Sequence, residues 1–199
     1  MSTVLSPRPD TRYLVLDTAL SLFTERGYFS TSVHDISRAA GVSIGSIYHH
    51  FSDKEGIASA LFMQLSERME NLISEICRRH LSVHDQAREL VARLFELTES
   101  EPRAMEFMLY AKHREFLINF GPVCSSRPFE LMRDMVRRGM ERGEIRQMEA
   151  MIASTSLFGG PLRMITARLD GLVDRPLPDY LDAAWDCAWR SVASVAAKA

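Results

Sequence analysis

The sequence predicts an all-α protein: an N-terminal three-helix helix-turn-helix unit followed by a larger C-terminal helical bundle. Three observations predict it. Apolar residues recur at three- and four-residue spacing along most of the chain, no stretch alternates with the period of a strand, and the breaks fall at Gly, Pro and Ser.

The first helix starts after Asp10, carries Tyr13, Leu16, Ala19, Leu20 and Phe23 at helical spacing, and stops at Gly27. Ser32 and Asp35 have capping-box spacing ahead of Val33, Ile36, Ala39 and Ala40, and Gly41 ends that short second helix. Ser43 can cap a third helix bearing Ile44, Ile47, Tyr48 and Phe51, and Ser52 or Asp53 a fourth that opens with Lys54 and Glu55. Two short helices joined by a glycine-containing turn, here Gly41 to Ser43, form a helix-turn-helix, whose second helix can enter a DNA major groove. Val33, Ile36, Ile47 and Phe51 are its core. Further helices are predicted over 55–80, 83–99, 102–117, 127–141, 148–169 and 178–196, with a bend or break expected at Gly159-Gly160-Pro161, because proline removes a helix hydrogen bond.

With 199 residues, 46% hydrophobic and 25% charged, the chain is globular, and it divides into a head, residues 1–56, and a body, residues 57–199. The N-terminus has no apolar signal core and no later apolar run approaches the roughly 18 residues of a membrane span, so a cytoplasmic location without membrane contact is expected. Cys77, Cys124 and Cys187 are odd in number and widely spaced, as reduced thiols would be. A net charge of -2 gives no hint of a polyanionic partner, and residues 1–56 hold five basic against six acidic side chains. Gly41 to Phe51, however, contains no acid.

The stretch FTERGYFSTSVHDISRAAGVSIGSIYHHFSDKEGI resembles the N-terminal signature of the TetR family of bacterial transcriptional regulators, over about the first quarter of the chain. The resemblance implies a homodimer that binds a pseudopalindromic DNA operator, most often as a repressor, and is released by a small, apolar effector. It also implies that the third helix faces DNA. Gly45 then permits close backbone approach, and Ser46 and Tyr48 offer hydroxyl donors. His49 and His50 stand at polar contact positions, Ser43 and Ile44 at base-edge or methyl contacts, and His34 where some relatives read a base. Thr31 or Ser32 is placed to bind phosphate, as is Lys54 at the start of the fourth helix.

In such regulators two C-terminal helices of each subunit pair into a four-helix bundle. The apolar positions Leu157, Leu162, Ile165, Leu181, Trp185, Ala188, Trp189 and Val192 are the expected dimer contacts. Flexible and aromatic side chains in the central helices, Met105, Met108, Phe116, Leu117 and Met132 with Tyr110 and His113 as polar members, are the expected lining of an effector pocket. Cys77, His80 and His84 have ligand-like spacing, but Ser82 interrupts their helix and no fourth ligand follows, so no metal is expected. No cofactor is expected either. Without a phosphate-binding glycine loop, a nucleophile elbow or a paired-carboxylate cluster, the sequence does not read as an enzyme.

Overall fold

The computed structural model describes residues 10–110 and 126–194. Among these residues the chain is all-helical, with one isolated antiparallel bridge between Ile145 and Ala193. The helices are α1 (Thr11–Arg26), α2 (Val33–Ala40), α3 (Ile44–His50), α4 (Lys54–Arg79), α5 (Val83–Ser100), α6 (Pro102–Tyr110), α7 (Arg127–Glu141), α8 (Ala150–Leu169) and α9 (Leu181–Arg190), with a 3-10 turn at Leu177–Tyr180. No helix among the described residues is long and apolar enough to cross a membrane.

Side-chain oxygens start the first five helices by accepting backbone N–H groups that have no partner inside the helix: Asp10, Ser32, Ser43, Asp53 and Ser82. At α2 the expected capping box is complete, Ser32 and Asp35 each closing on the other's backbone. Glu144 adds a second cap to α5 from a distance, accepting from the N–H groups of Val83 at 2.8 Å and His84 at 3.1 Å.

Two apolar cores form. One fills the head with Leu16, Phe23, Ile36, Ile47 and Phe51, the first turns of α4 from Ile57 to Leu65, and Ala104, Phe107 and Met108 of α6. The other fills the body between α4, α5, α7, α8 and α9. α6 belongs to both, since its Met105 lies in the body core. Arg103 ties the same helix to α1, donating to Glu25 at 2.8 Å and Ser21 at 3.2 Å.

The structure corrects several expectations. Tyr13 points to solvent, because the core-facing stripe of α1 runs through Val15, Leu16, Ala19, Leu22 and Phe23. α8 continues through Pro161 without a break; Phe158 and Ile165, buried on either side, hold both halves on the core. The last helix stops at Arg190. Beyond it the backbone pairs with the segment after α7 instead, Arg146 N–H donating to the Val192 carbonyl at 2.9 Å and Ser194 N–H to that of Glu144 at 3.0 Å. Val195, placed on that helix by its spacing, lies outside the described residues, as do residues 111–117 of the 102–117 segment.

Five of the eight expected dimer contacts are taken up by the subunit's own core. Leu157, Ile165, Trp185, Ala188 and Val192 are at most 6% exposed and belong to the body's own core, while Leu162, Leu181 and Trp189 pack half-buried against it. α8 and α9 lie against α5, and their most apolar faces cover it. Trp185 even donates its indole N–H to His84 of α5 at 3.1 Å.

Truncating Phe107 on α6 therefore removes part of the head's core. Phe107→Ala is expected to lower unfolding stability by about 3 to 5 kcal/mol in a urea titration, whereas a loss under 1 kcal/mol would mean that α6 does not support the head.

Candidate nucleic-acid interface and buried cavity

The turn between α2 and α3 is set by three local features. Gly41 takes a left-handed conformation, φ +65°, that a side chain disfavours. The Ser37 hydroxyl donates to the Val42 carbonyl at 2.6 Å, and the Val42 N–H donates to the Ser37 carbonyl at 3.1 Å. Ser43 then caps α3 by accepting from Ser46 N–H at 3.1 Å, and the two serine hydroxyls bond each other at 2.9 Å. α3 is anchored by Ile47 and Phe51, both buried, which turns its opposite face outward.

That outward face carries Ser43, Gly45, Tyr48, His49 and His50, all exposed, with Ile44 and Ser46 half-buried at its edge. Tyr48 is 52% exposed, a large ring with no burial of its own to explain it. His49 and His50 meet edge to face with centroids 5.3 Å apart. Gly45 has no internal reason to be glycine: its backbone is ordinary for a helix, and a Cβ built there would meet only the Ser43 hydroxyl, at 4.0 Å. The space in front of it is open. His34 on α2 is exposed as well.

Three members of the expected contact set stand differently. Thr31 is 2% exposed, and its hydroxyl is directed at the carbonyls of Gly27 at 3.0 Å and Leu22 at 3.3 Å, closing the end of α1. It is a structural tie, and its side chain does not reach the surface. Ser32 is exposed, but its hydroxyl is closed into the capping box beside the Asp35 carboxylate, which hydrogen bonds from Ser32 hold below the usual carboxylate range. Lys54 turns back to the head: its ammonium donates to the Tyr28 carbonyl at 3.0 Å and lies 4.2 Å from the centre of the Tyr28 ring. Sequence spacing could not distinguish a lysine aimed at solvent from one folded onto a neighbouring ring.

Comparison with known proteins matches residues 15–61 to the family model described as bacterial regulatory proteins, tetR family, the segment that contains this helix-turn-helix. Residues 15–61 therefore form a TetR-type helix-turn-helix domain. The HTH-type transcriptional regulator AcrR of Shigella flexneri is 37% identical over 113 residues, 53% of this chain and 49% of AcrR, so the chain spans about half the length of that relative. The HTH-type transcriptional regulator BetI of Cronobacter sakazakii is 27% identical over 175 residues, 81% of this chain and 87% of BetI. Among solved structures, the transcriptional regulator FadR of Bacillus subtilis in complex with stearoyl-CoA superposes with a TM-score of 0.75 at 18% identity, over 88% of this chain and 96% of FadR, a likeness of fold. All three are regulators of transcription.

Below the TetR-family head, a cavity of about 170 Å³ opens between α4, α5 and α6. Its apolar walls are Leu65, Met69, Leu72, Leu97, Ala104, Met105 and Met108, and its charged lining is Arg68, Arg93 and Glu101. A smaller cavity of about 40 Å³ lies deeper, sharing Met69, Met105 and Met108 and reaching Phe129 and Met132. The expected pocket members Met105, Met108 and Met132 thus face these spaces, but Tyr110 does not. Its single hydroxyl proton is shared between the Thr166 carbonyl at 2.9 Å and Asp170 Oδ1 at 2.8 Å, which fastens α6 to the end of α8. His113, Phe116 and Leu117 lie outside the described residues. The α4 and α5 contributors were not anticipated, because an arginine within an apolar stripe reads as an ordinary exposed position.

Cys77, His80 and His84 take separate partners. Cys77 lies 3.4 Å from the Arg138 guanidinium, and burial pushes its thiol pKa up. His80 pairs with Glu89, and His84 with Asp85 and Trp185. Cys187 is exposed on α9, and Cys124 lies outside the described residues.

Tyr28, which holds Lys54, has a phenol pushed up from 10.0 to about 12 by burial, with Glu55 and Asp53 adding to the effect. The neutral phenol is the form that folding favours, so its contribution to stability is complete below pH 10.0 and fades as pH rises through about 12. A rapid-mix ultraviolet titration of wild type minus Tyr28→Phe is expected to give a phenolate midpoint near 12; a midpoint near 10 would place this ring in water.

Proposed function

We propose that this protein regulates transcription, most often as a repressor, by binding a pseudopalindromic operator as a homodimer and leaving it when a small, apolar ligand enters the body. Residues 1–56 act as the reading head and residues 57–199 as the ligand-binding and dimerisation body. The observation that carries the reading is Gly45. Glycine inside a helix costs about 0.5 to 1 kcal/mol relative to alanine, and nothing among the described residues needs it there. A DNA backbone approaching the outward face of α3 does need it.

Gly45, Ser46, Tyr48, His49 and His50 then contact the operator from α3, Ser43 and Ile44 from its N-terminal edge, and His34 from α2. Ser32 and Lys54 contribute through whatever their capping and ring contacts leave available. Two identical heads on a two-fold axis read half-sites about one DNA turn apart.

Pairing uses the outer faces of α8 and α9, not the buried stripe. Met151 and Ile152 are at least 50% exposed, and an open groove runs between the helices past Ser156, Gly160, Met164, Ala183 and Cys187. Gly160 stands directly before Pro161 inside the helix, where a missing Cβ relieves the crowding that the proline ring imposes on the preceding residue, and a Cβ there would meet no other described residue within 4 Å. Small residues on both helices let a second backbone approach closely.

Gly45→Ala is expected to stabilise the isolated protein by about 0.5 to 1 kcal/mol while abolishing footprinting on DNA selected from random sequence, and Tyr48→Ala to lose the footprint without the stability gain. An unchanged footprint in Gly45→Ala would remove α3 from the interface. For pairing, sedimentation at micromolar concentration is expected to give a dimer for wild type and a monomer for Gly160→Glu; a monomeric wild type would end the homodimer reading.

A further inference from the structure

Nothing in the general reading says what kind of molecule the cavity between α4, α5 and α6 accepts. Its apolar walls exclude a strongly hydrated ligand, and its size limits the body. A cavity of about 150 Å³ holds a benzene ring, and this one measures about 170 Å³. The polar part of the lining is two guanidinium groups and one carboxylate, a surplus of one positive charge.

The arrangement of those charges is more specific. Arg68 on α4 is held in a two-pronged pair by Glu101, NH1 to Oε2 at 2.9 Å and NH2 to Oε1 at 2.7 Å. Both side chains are substantially exposed, 51% and 40%, and an ion pair open to water is weak enough to exchange partners. Arg93 pairs with Glu96, one turn along its own helix, in a similarly exposed pair. Glu101 therefore occupies, from within the chain, a fork that is shaped for a carboxylate at the mouth of an apolar cavity.

We propose that this cavity binds a small monocarboxylate, one acidic group on an apolar body of about six to eight carbons, and that the ligand's carboxylate replaces Glu101 on Arg68. The proposal rests on the regulator reading for its consequence, not for the binding itself. Glu101 is the residue that turns the chain from α5 into α6: its carbonyl accepts the N–H groups of Ala104 at 3.0 Å and Met105 at 3.3 Å. Releasing its side chain frees the corner from α4. Two residues further on, Arg103 holds Glu25 and Ser21 of α1, and Phe107 lies against Phe23. A carboxylate in the cavity thus acts on the support of the reading head through one helix.

The alternatives are a cation that pairs with Glu101 and a neutral apolar ligand that ignores both charges. Calorimetry on the full-length protein separates them with octanoate, octanamide and octylammonium, and with benzoate against benzamide. Octanoate and benzoate are expected to bind at least about tenfold tighter than the uncharged or cationic analogues. Glu101→Gln, which removes the internal competitor, is expected to bind octanoate about tenfold tighter than wild type, and Arg68→Gln to lose the preference for acid over amide. Equal binding of acid and amide, preference for the amine, no binding of either acid, or unchanged or weaker octanoate binding in Glu101→Gln would each overturn the proposal. If Arg68→Gln fails to fold, the wild-type comparison and Glu101→Gln still decide it.

Footprinting of the same wild-type preparation separates the two readings. A footprint that persists, with no binding of the acids, sinks the carboxylate and leaves the regulator standing. Acid binding with no footprint at any salt concentration does the reverse.

Discussion

Phe107 and Phe23 are far apart in the chain, yet their rings lie 6.3 Å apart and nearly parallel, inside the head's core. This contact between α6 and α1 is the constraint on which the rest of the structure depends. Three short helices cannot bury enough apolar surface to fix themselves, so the head completes its core with the first turns of α4 and with α6. The direction in which α3 faces is therefore inherited from the body. Arg103 reinforces the same junction from outside, where solvent makes its pairs with Glu25 and Ser21 modest contributors.

The glycines divide by what they answer to. Gly41 needs its left-handed backbone, and Gly139 lets α7 close on its neighbours, since a Cβ there would fall 2.7 Å from Ile145. Both serve the fold. Gly160 eases the helix past Pro161, whereas Gly45 has none of these reasons among the described residues; it lies on a helix face that they leave uncovered. Residues chosen against helix propensity, without an internal gain, mark where sequence and local stability disagree. That disagreement singles out the outward face of α3.

Much of the fold was legible in the sequence because its signals are local. Caps at Asp10, Ser32, Ser43, Asp53 and Ser82, together with glycines at helix ends, fixed the element boundaries to within a residue or two. What could not be read were choices among equivalent apolar or polar positions. The stripe of Trp185, Ala188 and Val192 covers its own subunit, since apolar spacing does not reveal which of two surfaces a helix meets. Thr31 and Lys54 were placed in the right neighbourhood, but only tertiary structure shows that one closes the end of α1 and the other rests on Tyr28. The cavity's α4 and α5 walls were hidden for the same reason.

Sharing α6 between two cores bears on how such chains can be recombined. A chimera that grafts only the first three helices onto a foreign body would arrive with a hole where Ala104, Phe107 and Met108 had been, and with Glu25 lacking Arg103. The transferable unit is discontinuous: the opening helices, the first three turns of α4 and the inner face of α6 travel together. Successful exchanges of DNA-reading specificity should therefore be confined to the outward surface of α2 and α3, where Tyr48 and the histidines can change without disturbing anything behind them.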